Sequence, residues 1–135
     1  MAVLLDTGIL YAYYDRSDAW HQRALRLIKD EDGGLIVPAP VIPEADHLLG
    51  RRLGSNAQLT LYRGLAEGYY FVADLAREQY PRVAELNRQF AELQLGFVDA
   101  AVVAIAEQLG LNRVATTDRR HFEPLAAALG LELVP

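Results

Sequence analysis

Four acidic residues, far apart in the chain, each stand beside an apolar stretch. They are Asp6 after AVLL, Glu44 in VIPEA, Asp99 in GFVDAAVV and Asp118 after VATT. Any one of them is explained as a helix cap or a first-turn acid, because a carboxylate there accepts hydrogen bonds from free backbone N–H groups and opposes the positive end of the helix. Four together would raise one another's pKa and destabilise the fold unless a cation lay among them. The set therefore indicates a metal site.

The ligands available for this metal are oxygens. The chain has no cysteine, and His21, His47 and His121 do not have the spacing of a zinc site. Carboxylate oxygens favour Mg²⁺ or Mn²⁺, which bind through a few carboxylates and keep several waters. An ion held by few protein groups has coordination positions free for a phosphate and a nucleophilic water. We therefore predict a metal-dependent nuclease that hydrolyses phosphodiester bonds.

Short β-like runs alternate with longer segments that have apolar residues at three- and four-residue spacing. The predicted strands are 2–6, 34–38, 69–73, 113–118 and 131–135, and the predicted helices are 20–31, 41–54, 56–68, 78–94, 97–110 and 120–130. This alternation predicts an α/β fold, in which helices cover a mainly parallel five-stranded sheet to give three layers. Ligands bind beyond the carboxyl ends of such strands. Asp6 and Asp118 at strand ends, and Glu44 and Asp99 in the first turns of helices, should then share one edge.

The composition is that of a soluble globular protein. The 135 residues fit a single domain over 1–135, and 52% of them are hydrophobic and 23% charged. No apolar stretch approaches the roughly 20 residues that span a bilayer, and the N-terminus lacks the pattern of a secretory signal, so we expect a cytoplasmic protein. The net charge of −5 argues against binding nucleic acid through bulk electrostatics, so any such contact must be local.

Hydroxyl residues accompany the acids. Thr7 follows the first acid, and Thr116 and Thr117 precede the fourth. They are expected to orient the carboxylates or metal-bound water through hydrogen bonds. The alternative is that threonine simply favours strand ends.

Basic and aromatic residues suggest further contacts. Arg119, Arg120 and His121 follow the fourth acid, where a phosphate backbone near the metal would pass, and Arg51 and Arg52 offer additional backbone contacts. The alternative for each of them is solvated surface charge. The aromatic residues Tyr11, Tyr13, Tyr14 and Trp20 are expected to fill a core or an interface, or else to stack on unpaired bases.

Four segments contain the four acids: LLDTGILYAYYDRSDAWHQRA, VPAPVIPEADHLL, LGFVDAAVVAIAEQLG and VATTDRRHF. In this order and spacing they resemble the PIN-domain ribonucleases, most closely the VapC toxins of bacterial toxin–antitoxin pairs, over essentially the entire chain. The resemblance implies that Asp6, Glu44, Asp99 and Asp118 hold Mg²⁺ or Mn²⁺ and that Thr116 is the hydroxyl residue of a threonine-x-aspartate motif. It also implies a homodimer, an RNA substrate such as tRNA or rRNA, and a VapB-like antitoxin whose C-terminal segment blocks the site. The residues expected to contact the RNA or the antitoxin are Arg119, Arg120, His121, Arg51 and Arg52.

One residue departs from the pattern of the family. Many relatives have serine directly after the aspartate-threonine pair, whereas this chain has Gly8. A hydroxyl often found beside the first acid is therefore missing.

Two other interpretations fit the sequence. In the first, the protein is a non-catalytic PIN-like α/β binding module, and its acids serve only as helix caps. In the second, it is an RNA-processing nuclease that has no antitoxin. Loss of a cap should cost about 1 kcal/mol of stability and leave activity intact, whereas loss of a metal ligand should do the reverse.

Overall fold

All five predicted strands form one parallel sheet. The structure is a computed structural model that describes residues 1–135. Its strands are β1 (Val3–Leu5), β2 (Leu35–Pro38), β3 (Phe71–Ala73), β4 (Arg113–Ala115) and β5 (Glu132–Val134). They lie in the order β3-β2-β1-β4-β5, and every neighbouring pair is parallel. The predicted α/β fold with a five-stranded parallel sheet is confirmed.

Seven helices flank the sheet. They are α1 (Thr7–Tyr14), α2 (His21–Asp30), α3 (Val41–Arg52), α4 (Ser55–Ala66), α5 (Tyr80–Gln89), α6 (Gly96–Leu109) and α7 (Arg119–Leu129), with 3₁₀ turns at Arg77–Gln79 and Ala91–Leu93. None of these helices combines the length and the apolar character needed to cross a membrane. The sequence did not predict α1. Its four consecutive residues 9–12 are all buried, so the segment lacks the one-sided apolar period by which an amphipathic helix is recognised.

The two faces of the sheet belong to two different buried clusters, and α6 contributes residues to both. Val3, Leu5 and Val37 belong to a large buried cluster that includes residues of α1, α2 and α3. Leu4 and Ile36, which alternate with them, belong to a second cluster with residues 105–106 of α6. Successive side chains of a strand point to opposite faces, so these short apolar strands require helices on both sides.

The order of the strands reverses at β1. The chain moves from β1 to β2 and β3 on one side of the sheet, then returns to place β4 and β5 on the other side. In open parallel sheets this reversal leaves a crevice at the carboxyl ends of the two strands that flank it. Here the crevice lies between β1 and β4, whose following residues include Asp6 and Asp118.

Candidate metal centre

The ends of β1 and β4 bring Asp6 and Thr116 into contact. Leu5 pairs with Ala115 at the last position of the two strands, and the Asp6 backbone N–H donates to the Ala115 carbonyl at 2.9 Å. The Thr116 hydroxyl donates to Asp6 Oδ2, also at 2.9 Å. Asp6 is 4% exposed and Thr116 is fully buried, so this contact lies inside the protein.

Thr116 also positions the fourth acid. Its hydroxyl oxygen accepts a hydrogen bond from the Asp118 backbone N–H at 2.9 Å, which fixes the turn between β4 and α7. The predicted strand 113–118 was too long, since β4 ends at Ala115. The threonines that looked like the end of a strand form this turn instead, because a threonine hydroxyl readily binds a backbone N–H two residues on.

Asp6 and Asp118 differ as helix caps. Asp118 caps α7, because its Oδ1 accepts from the His121 backbone N–H at 3.1 Å. Asp6 occupies the cap position of α1, but its side chain makes no capping hydrogen bond. A capping role therefore explains one oxygen of Asp118, Oδ1. It does not explain why the carboxylate of Asp6 is buried.

The imidazole of His121 lies between two of the acids. Its Nδ1 is 2.7 Å from Asp99 Oδ2 and 3.0 Å from Asp118 Oδ2. One ligand atom from each of the three residues lies within 4.8 Å of the others, a spacing that could hold a metal ion. The sequence associated His121 with RNA or an antitoxin rather than with this contact. The spacing from Asp118 was a usable signal, since a side chain three residues after a helix cap can reach back to it.

The surroundings of Asp6 and Asp99 disfavour their negative charges. Burial, together with the nearby charge of Asp99 and a smaller effect of Asp118, raises the pKa of Asp6 from 3.8 to about 7, against the opposing hydrogen bonds from Thr7 N–H and Thr116. Burial likewise raises the pKa of Asp99, although its contact with His121 acts in the opposite direction. A divalent cation would stabilise the charged forms of these carboxylates. The carboxylate oxygens of the acids and the imidazole nitrogen of His121 therefore fit a divalent metal.

Glu44 lies at the rim of the centre. It sits in the first turn of α3 as predicted, but its side chain is exposed. The Thr7 hydroxyl donates to Glu44 Oε1 at 2.7 Å, and the charge of Glu44 contributes to the raised pKa of Asp99. Glu44 is thus close enough to act on Asp99, but it is not part of the trio formed by Asp99, Asp118 and His121.

Thr117 contacts α1 instead of a carboxylate. Thr7 and Thr116 make the predicted kind of hydrogen bond, each to one acid, whereas Thr117 makes none and lies against Gly8. A Cβ on Gly8 would overlap Thr117 Oγ1. The hydroxyl of Thr117 therefore fills the space that a larger residue at position 8 would need, which gives a physical reason for glycine in this chain.

The predicted basic residues are dispersed. Arg119 turns away from the acids, because its Nη2 donates to the Pro135 carbonyl at 2.6 Å and its guanidinium lies 5.8 Å from the centre of the Trp20 ring. Arg120 is exposed. Arg51 and Arg52 end α3, about 10 Å along the helix axis from Glu44, and the Arg52 guanidinium lies 5.2 Å from the centre of the Tyr11 ring.

Comparisons with known proteins identify the family of this chain. The PIN domain family model matches residues 3–127. Ribonuclease VapC26 of Mycobacterium tuberculosis is 30% identical over 123 residues, which cover 91% of each chain. Among solved structures, M. tuberculosis VapC20, a sarcin–ricin loop cleaving toxin, matches with a TM-score of 0.83 and 23% identity over 98% of this chain and 99% of that one. VapBC2 of Rickettsia felis, bound to promoter DNA, matches with a TM-score of 0.72 and 16% identity, covering 98% and 97%. This chain belongs to the PIN-domain family and is related within it to the VapC ribonucleases.

Proposed function

We propose that this protein is an endoribonuclease that depends on Mg²⁺ or Mn²⁺ and acts as the toxin of a toxin–antitoxin pair. The observation that carries the proposal is the convergence of Asp6, Asp99 and Asp118 at the crevice between β1 and β4, where burial disfavours uncompensated carboxylates. The relationship to ribonuclease VapC26 supports RNA as the substrate. Residues 1–135 would act as one nuclease domain in the cytoplasm.

The acids and two threonines of the centre each have a proposed task. Asp6, Asp99 and Asp118 would hold the ion, with Glu44 joining from the rim. When bound, the ion supplies a Lewis acid for a phosphate oxygen and lowers the pKa of water. Thr116 orients Asp6 and fixes the turn to Asp118, and Thr7 orients Glu44. Misplaced ligands bind a metal weakly, so such hydrogen bonds typically affect metal affinity 10–100-fold.

The proposed substrate is a structured RNA, tRNA or rRNA, whose cleavage would inhibit translation. VapC20, which shares the fold, is described as a toxin that cleaves the sarcin–ricin loop, and this supports a hairpin of ribosomal RNA as the first substrate to test.

The proposed partners are a second copy of the chain and a VapB-like antitoxin. Structural neighbours from Rickettsia felis and Klebsiella pneumoniae are toxin–antitoxin complexes, and they support the antitoxin.

Cleavage by an Asp99→Asn variant tests the proposal. The purified proteins are incubated with tRNA and with a sarcin–ricin hairpin, in Mn²⁺, in Mg²⁺ and in EDTA. The wild type should cut at least one RNA with either ion and neither RNA in EDTA. Asp99→Asn should lose at least about 100-fold in rate, because one charged oxygen ligand is replaced by a neutral amide.

The matched control is Asp32→Asn, which makes the same chemical change at an exposed residue between α2 and β2, at the opposite edge of the sheet. This variant should cut RNA like the wild type. Full activity of Asp99→Asn, or cutting by the wild type in EDTA, would reject the proposed role of the acidic centre.

A further inference from the structure

A groove lined by arginines runs along α2. Its volume is about 380 Å³, and it lies between α2, the first residue of β4 and Pro135, which follows β5. Arg23 and Arg26 of α2 line it, and both side chains are exposed. Pro135 also accepts a hydrogen bond from Arg119, so the side chain of the residue that directly follows Asp118 reaches this end of the groove.

The ring of Trp20 lies near two arginines, Arg23 and Arg119. The Arg23 guanidinium carbon lies 3.6 Å from the centre of the Trp20 ring, and that of Arg119 lies 5.8 Å from the same centre. A guanidinium that contacts an aromatic ring through its face keeps its N–H groups in the plane, directed outward, where they can donate to another group. Trp20 therefore holds Arg23 in place without using its hydrogen-bond donors.

The positive charge at this end of the groove is not neutralised by the protein. Among the arginines, only Arg82 and Arg113 form salt bridges with carboxylates. Arg113 also lines the groove, but its Nη1 is 2.8 Å from Glu31 Oε1. Asp30 adds negative charge at the last residue of α2, about one helical turn beyond Arg26. The uncompensated charge is thus concentrated near Trp20, on a protein whose net charge is −5.

We propose that Trp20, Arg23, Arg26 and Arg119 form a subsite that binds the phosphate backbone of the RNA on one side of the acidic centre. This inference rests on the proposed ribonuclease function. A polyanion is the occupant that matches several guanidinium groups without a salt bridge, because a guanidinium can donate two hydrogen bonds to one phosphate. A substrate held here would be kept near the four acids despite their repulsion of phosphate, which explains how an acidic protein can bind RNA.

Binding of uncut RNA to a double variant tests the subsite. The double variant Arg23→Gln/Arg26→Gln is made in the Asp99→Asn background, and its affinity for a sarcin–ricin hairpin and for tRNA is measured by fluorescence anisotropy at several salt concentrations. The Kd should rise at least about fivefold at low salt. The slope of log K against log salt should become less negative by roughly 1.4, since two phosphate contacts to a single strand are lost. Arg23→Lys/Arg26→Lys should restore most of the slope.

The matched control is Arg77→Gln/Arg88→Gln, which removes the same charge from two exposed arginines next to and within α5, a helix that packs against α6 and does not line the groove. The control should bind RNA like the parent. In the otherwise wild-type protein, Arg23→Gln/Arg26→Gln should raise KM, leave kcat within about twofold and leave Mn²⁺ affinity unchanged.

The outcomes separate the two proposals. An RNA affinity and salt slope equal to those of the parent would overturn the subsite, while continued cleavage by the wild type would leave the ribonuclease proposal standing. Absence of both Mn²⁺ binding and cleavage in the wild type would defeat the ribonuclease proposal itself. A polyglutamate peptide is titrated in parallel as an acidic protein-like probe. If the double variant keeps its affinity for RNA and loses affinity only for this peptide, the groove serves an acidic protein partner and the subsite is wrong.

Discussion

At the scale of single residues, Asp6 is the most informative side chain. It is buried, it accepts a hydrogen bond from Thr116, and it lacks a capping interaction with α1. Its sequence context, an acid after an apolar strand, is shared with many ordinary helix caps. The raised pKa separates it from those, because a cap in contact with backbone N–H groups has its charge stabilised rather than opposed.

Asp6 should make the metal-free protein less stable as the pH rises. Its pKa is about 7 in the folded protein, above the ordinary value of 3.8. The folded state therefore binds more protons than the unfolded state between these values, and stability falls from about pH 4 to pH 7. Asp6→Asn should remove this contribution and stabilise the protein above pH 7, by up to about 4 kcal/mol. Urea unfolding in EDTA at several pH values measures it.

The difference between wild type and Asp6→Asn is the quantity to follow, since other carboxyl groups also titrate in this range. Asp32→Asn, at an exposed residue, provides the control for the chemical change from aspartate to asparagine. A wild-type minus Asp6→Asn difference that stays constant from pH 4 to pH 8 would contradict the raised pKa.

At the scale of elements, Asp118 at the junction of β4 and α7 has two roles. Asp118 caps α7 through His121 N–H and also directs an oxygen toward the His121 imidazole. The sequence predicted an acid at this edge of the sheet but assigned it to the end of a strand. The end of β4 depends on the hydrogen bond that the Asp118 backbone N–H donates to the Thr116 hydroxyl oxygen. A pattern of apolar residues does not reveal such a bond.

Two substitutions at Asp118 separate the cap from the metal ligand. Serine is a good cap without a charge, and alanine is neither cap nor ligand. Asp118→Ala should therefore unfold more easily than Asp118→Ser, by about 1 kcal/mol. Both variants should lose Mn²⁺ affinity and RNA cleavage. Chemical denaturation in EDTA gives the stabilities, and calorimetric titration with Mn²⁺ gives the affinities. Cleavage by Asp118→Ser at the wild-type rate would mean that Asp118 is only a cap.

At the scale of the whole molecule, the centre joins parts of the chain that are distant in sequence. β1, α6 and the β4–α7 junction provide Asp6, Asp99 and Asp118, and α3 provides Glu44. A ligand that binds only the folded protein stabilises this whole arrangement. The acidic centre therefore links metal binding to global stability, independently of any activity.

Mn²⁺ should raise the melting temperature of the wild type. At a free concentration 100 times its Kd, an ion that binds only the folded state adds about 2.7 kcal/mol, or roughly 8–10 °C for a domain of this size. Asp99→Asn should show little of this shift, and Asp32→Asn should show all of it. Differential scanning fluorimetry with and without Mn²⁺ is sufficient. An equal shift in wild type and Asp99→Asn would place the bound ion elsewhere.

The sequence alone determined the order of the strands and of every helix except α1, the parallel sheet and the edge at which the acids would lie. The apolar periods of strands and helices are local properties of the sequence. The binding of ligands at the carboxyl ends of parallel strands is a general property of such sheets, so neither prediction needed tertiary detail. Only the tertiary structure placed His121 between Asp99 and Asp118, turned Arg119 toward Trp20 and Pro135, and set Thr117 against Gly8. Side-chain direction and burial decide these contacts, and they depend on how elements distant in the chain pack together.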